Sequence, residues 1–146
     1  MDEIDRKILK IIGKNGRISI KSLSALVHLS APAVATRIEK MADNGYIKGF
    51  QASLDLEKVG YPIKAFISLA MKPVDKPEFY AYIEKVTNVL ECCCVTGDYS
   101  MMLKVAFHST HDLDLFIGHL QKYGDTMTQI VFSTAVEPRQ ISWKES

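Results

Sequence analysis

Ser30-Ala31-Pro32-Ala33-Val34-Ala35-Thr36-Arg37-Ile38-Glu39-Lys40-Met41 is the stretch on which the fold turns. Ser30 suits a helix N-cap, because its hydroxyl can accept a hydrogen bond from a first-turn N–H. Pro32 falls in that first turn, where a missing N–H costs little. Val34, Ile38 and Met41 recur at i, i+4 and i+7 and make the inward stripe. Asn44-Gly45 is a C-terminal stop signal. The other face carries Ala31, Ala33, Thr36, Arg37 and Lys40. Small residues at the start of a helix allow close approach to base edges, while Thr36, Arg37 and Lys40 can reach bases or phosphates.

Working outward, Ser19 can cap a shorter helix whose buried stripe would be Leu23, Leu26 and Val27. His28-Leu29 leads from it into the capping serine. Two short helices joined by a tight turn, the second with such a face, read as a helix-turn-helix. Upstream, Ile4, Ile8, Leu9, Ile11 and Ile12 recur near helical spacing. Asp2 and Asp5 stand at the start of that helix, where acids suit the dipole, and Lys14-Asn15-Gly16 ends it. Downstream, Tyr46–Leu54 alternates apolar and polar residues, which predicts a half-exposed strand resembling a wing. Lys21 and Lys48 are the expected phosphate anchors. The competing reading is an ordinary three-helix bundle with a solvated basic face. Gly60 and Pro62 mark a boundary.

The remaining chain predicts strands at 63–71, 89–96, 101–107 and 127–135, with helices from Pro77 and from Ser109 or Thr110. That order, βαββαβ, is the ferredoxin-like arrangement with two helices on one sheet face. The whole is therefore an α+β chain: residues 1–50 a helix-turn-helix DNA-binding domain, 51–62 a hairpin strand and linker, and 63–146 a ligand-sensing and oligomerisation domain. Strand one puts Ile63, Ala65, Ile67, Leu69 and Met71 on one side and Phe66 and Ala70 on the other, and Met101–Phe107 carries a single charge, Lys104. Two helices cover only one face, so the other calls for a partner, most simply a second copy in a homodimer.

Composition narrows the function classes. The 146 residues are 47% hydrophobic and 24% charged, which suits a folded globular chain. No apolar run approaches the roughly 18 residues of a membrane helix. The start, MDEIDRKILK, has no apolar leader core, so the expected location is cytoplasmic, without a membrane partner. The net charge of +1 hides an asymmetry: from Arg6 to Lys48 nine basic residues stand against two acidic ones, Glu39 and Asp43. A basic first half suggests a polyanionic partner, double-stranded DNA. Cys92, Cys93 and Cys94 are consecutive and read as small strand residues in a reducing cell. His28, His108, His111 and His119 form no metal-ligand spacing, and no nucleophile stands beside a base. No cofactor, no metal site and no catalytic residue is expected, and the chain reads as not an enzyme. The alternative is a small-metabolite-binding or assembly protein with a vestigial helix-turn-helix.

Several motifs taken together resemble the Lrp/AsnC family of transcriptional regulators, the feast/famine regulatory proteins. They are Asp2-x-x-Asp5-x-x-Ile8-Leu9, Asn15-Gly16-Arg17-Ile18-Ser19, Leu29-Ser30-x-x-x-Val34-x-x-Arg37-Ile38, and Gly45-x-Ile47-x-Gly49-Phe50, with Gly60 at the linker end. The resemblance spans nearly the full length. It implies a winged helix-turn-helix followed by a ligand-sensing RAM domain, with dimers assembling into octamers on DNA. It also implies an amino acid or other small effector near the connection of strands two and three, at Gly97, Asp98, Tyr99 and Ser100. Where the family usually has an acid followed by an aromatic, this chain has Ser100-Met101.

Overall fold

A computed structural model describes residues 1–141. The expected reach of the second domain through 142–146 lies outside the described residues. The chain divides into two units, Met1–Ser53 with the described part of Glu137–Ser146, and Leu54–Val136.

The first unit holds α1 (Glu3–Lys14), α2 (Ile20–Val27) and α3 (Ala31–Asp43). Asp2 and Asp5 form a capping box at the start of α1. Each side-chain carboxylate takes the other residue's backbone N–H, at 2.8 Å and 3.0 Å. Ile8, Ile12, Leu23, Val27, Val34 and Met41 bury together, with Ile38 packed against them. Leu26 departs from expectation, at 50% exposed. Leu23 and Val27, four apart, already make the inward stripe of α2, and Leu29 packs on the core from beyond the turn. The predicted strand Tyr46–Leu54 is corrected too: no residue of it is in a ladder. A strand exists only with a partner backbone, and no described segment pairs with this one. It starts instead as a continuation of the α3 stop, Tyr46 and Ile47 both donating to the Met41 carbonyl.

The second unit holds β1 (Ile63–Met71), a short 3-10 turn at Pro73–Asp75, α4 (Lys76–Ile83), β2 (Val89–Cys94), β3 (Met101–Phe107), α5 (Thr110–Leu120) and β4 (Gly124–Ile130). The sheet order is β2-β3-β1-β4 with every pair antiparallel. This is the ferredoxin-like arrangement the pattern predicts. Strand β4 begins three residues earlier than expected and ends five earlier. Gly124 opens it because it pairs with Met71, where the strand backbones meet too closely for a side chain. Strand β2 stops two residues short of Thr96, at the hairpin connection.

One sheet face and the two helices make the core: Ile67, Leu69, Met101, Leu103 and Val105 against Phe79, Leu113, Phe116 and Leu120. The other face has no helix on it. One row across all four strands reads Cys93, Met102, Ser68, Met127, and the next reads Glu91, Lys104, Phe66, Gln129. Phe66, Met102 and Met127 are 36%, 43% and 43% exposed. At the entry to the unit, His108 Nδ1 bonds the Gly60 carbonyl and its ring lies against Tyr61.

Candidate nucleic-acid interface

The turn between α2 and α3 is made by three residues. His28 closes α2 in the left-handed region, φ 56°. Leu29 drops into the core behind it. Ser30 caps α3, its Oγ accepting from the Ala33 N–H at 3.3 Å. With Val34 and Met41 turned inward, Pro32, Thr36 and Lys40 are exposed, and Ala31 and Ala33 half-buried beside them. This face borders a cleft of about 650 Å³ whose walls include Asp2, Asp5, Pro32, Thr36 and Lys40. Lys21 and Lys48 are exposed, Lys21 on α2 and Lys48 on the extended segment after α3.

Arg37 lines the same cleft, already paired. Its Nη1 donates to Asp2 Oδ2 and to Asp5 Oδ1, both at 2.7 Å, with its side chain 31% exposed. Two carboxylates thus hold the guanidinium that the sequence pattern sends to a base or phosphate. The electrostatics agree from both sides. The Asp2 carboxyl is held below its ordinary value by the Asp5 backbone N–H and by Arg37. Arg37 is pushed above its own by the same acids, Asp2 first. Sequence reasoning gave Asp2 and Asp5 to the helix dipole and missed this second use. The signal was an acid pair three apart at a helix start with an arginine on another helix.

The second candidate site is the connection Val95–Ser100 between β2 and β3. Val95 N–H donates to the Ser100 carbonyl at 2.9 Å, closing the loop. Gly97 stands at φ +108°, where an L side chain is strained. Asp98 is exposed and Tyr99 half-buried. The Ser100 hydroxyl accepts from the Met71 N–H and donates to the Met71 carbonyl, both at 3.4 Å. The loop thus gathers all four expected residues, with Asp98 supplying its carboxylate. Among the described residues no group of three or more His, Cys, Asp or Glu is placed to hold a metal ion. None of their helices is long and apolar enough to cross a membrane.

Residues 1–48 match the family model described as winged helix-turn-helix DNA-binding, and residues 64–141 match the Lrp/AsnC ligand binding domain. The chain is 38% identical over 132 residues to the HTH-type transcriptional regulator LrpA of Bacillus subtilis, covering 90% of this chain and 97% of that one. Among solved structures, B. subtilis LrpC superposes with a TM-score of 0.86 at 28% identity, covering 94% of this chain and 99% of that one. The transcriptional regulator NMB0573 of Neisseria meningitidis, solved as a complex with L-Met, gives 0.86 at 25% identity over 94% of this chain and 93% of that one.

Proposed function

The chain belongs to the Lrp/AsnC family, and from that premise we propose how it works as a DNA-binding transcription regulator with an effector domain. The observation that carries the reading is the α2–turn–α3 geometry. A serine-capped helix buries Val34 and Met41 and turns Pro32, Thr36 and Lys40 outward. In this reading residues 1–50 read DNA and residues 63–146 sense and assemble. Helix α3 enters the major groove from Ser30, with Ala31, Pro32 and Ala33 close to base edges and Thr36 and Lys40 supplying polar contacts. Lys21 and Lys48 anchor phosphates, and the N-terminus of α3 favours a phosphate at Ser30. The work is regulation, not catalysis, and it takes place in the cytoplasm with the DNA.

A small effector binds at Gly97–Ser100 and shifts the balance between arrangements of dimers. The Ser100 hydroxyl is already shared with the Met71 backbone, so an amino group would find its anion at Asp98. An amino acid is the first class to try, and methionine the first member, since a structural relative was solved with it. The helix-free sheet face carries the homodimer, and dimers build an octamer. Two copies about a two-fold axis would present two α3 helices to half-sites one helical turn, or a multiple of it, apart.

The test is to select binding sites from a random duplex pool with the full chain, with and without each amino acid. The reading expects an enriched, dyad-symmetric site and at least one amino acid that changes its occupancy. Affinity that is flat across sequence and salt, alongside tight amino-acid binding, would select a metabolite-binding protein instead.

A further inference from the structure

We propose that Arg37 is a positioning residue for the recognition helix, not a contact to DNA: it locks α3 onto the capping box of α1. The inference rests on the DNA-binding reading above. All four carboxylate oxygens of the pair are in use. Asp2 Oδ1 takes the Asp5 N–H and Asp5 Oδ2 takes the Asp2 N–H. Asp2 Oδ2 and Asp5 Oδ1 take the same guanidinium nitrogen.

Because the capping box fixes both carboxylates, they cannot follow the arginine if α3 turns. Charge-assisted bonds at this distance are strong and directional. Each residue of a helix is offset by about 100° from the next, so fixing Arg37 fixes the direction in which Ala33, Thr36 and Lys40 face. The charge balance points the same way. One guanidinium is shared by two carboxylates, so Arg37 has little charge left to offer a phosphate. Pulling Arg37 away would leave two carboxylates facing the DNA.

The experiment titrates a duplex that the wild-type chain selects from a random pool, and a random-sequence duplex, across a salt series. The full-length proteins are wild type, Arg37→Ala, Asp2→Asn with Asp5→Asn, that pair combined with Arg37→Ala, and Lys40→Ala. Asparagine caps helices as well as aspartate does, so the Asn pair keeps α1 capped if Arg37→Ala folds poorly. Thermal melts confirm that each variant is folded at the assay temperature.

Positioning predicts that Arg37→Ala weakens the selected duplex about tenfold, and the random duplex by less than about threefold, with the salt slope unchanged. The Asn pair reproduces that loss, and adding Arg37→Ala to it costs nothing further. Lys40→Ala, by contrast, lowers the slope by about one. A slope lower by about one in Arg37→Ala overturns the proposal, because it marks a direct phosphate contact. Tighter binding by the Asn pair overturns it as well, since a DNA-contacting arginine would be released. Folded variants that all match wild type also overturn it. If wild type itself selects no duplex, it is the DNA-binding reading that fails.

Discussion

Protons reach the Asp2–Asp5–Arg37 network through the carboxylates, because the arginine stays charged at any ordinary pH. The Asp2 pKa is lowered from 3.8, first by the Asp5 N–H and then by Arg37. A lowered carboxylate stabilises the fold above its unfolded value and loses that contribution as pH falls through its folded value. The melting-temperature gap between wild type and Arg37→Ala should therefore hold from about pH 7 to pH 5 and close only in stronger acid. A gap that narrows near neutrality would show another group at work. The cysteines give a second residue-level prediction. Burial pushes the Cys92 thiol up to about 11. At about pH 8 only about one in a thousand of its thiols is ionised, so iodoacetamide should modify Cys92 far more slowly than exposed Cys94. Peptide mapping by mass spectrometry reads the order. The sequence shows which face of α3 an arginine occupies. It does not show the acids waiting 32 and 35 residues earlier on another helix, because that pairing exists only once α1 and α3 have docked.

Elements with their own periodicity and caps were legible: α2 and α3 begin at the predicted capping serines, Ser19 and Ser30, because the caps are local chemistry. Strands β1 and β3 fall on the predicted 63–71 and 101–107, but edges set by a neighbour were not legible. The alternating segment Tyr46–Leu54 has the pattern of a strand but no described ladder, and β4 took its start from Met71 and not from its own apolar run. Two substitutions test this distinction. Ser30→Ala removes a local cap and should cost about 1 kcal/mol of stability in urea unfolding. Gly124→Ala attacks a pairing: the new Cβ would stand 1.7 Å from the Ala70 carbonyl oxygen, so β4 must move off β1. Its cost should be about 3 kcal/mol or more. Gly118→Ala is the control, in the interior of α5 with nothing within 4 Å of a new Cβ, and it should stabilise by about 0.5–1 kcal/mol. Equal effects for the two glycines would mean that the close approach at Gly124 is not what places the strand.

At the scale of the molecule, a sheet with one helix-free face carrying Phe66, Met102 and Met127 was legible from strands apolar on both sides, but its occupant was not. Geometry constrains that occupant. Four strands about 4.8 Å apart and about seven residues long at about 3.4 Å per residue project to roughly 450 Å². A stable pair of proteins buries about 800 Å² of accessible surface from each partner, which a face of this flat outline reaches only with the relief of its side chains and a rim around it. Further area would come from exposed apolar side chains outside the sheet, and the second unit holds some: Leu54 is 63% exposed, Phe132 99% and Val136 61%. Two tiers of effect follow for the proposed homodimer. Met102→Glu with Met127→Glu puts charges on both sides of Ser68 in the central row, and sedimentation should find monomers. Phe132→Ser removes only a peripheral contribution and should raise the dimer dissociation constant about tenfold without splitting the dimer at micromolar concentration. If the paired glutamates leave the dimer intact while Phe132→Ser abolishes it, the copies meet through the segment after β4 and the sheet face serves something else.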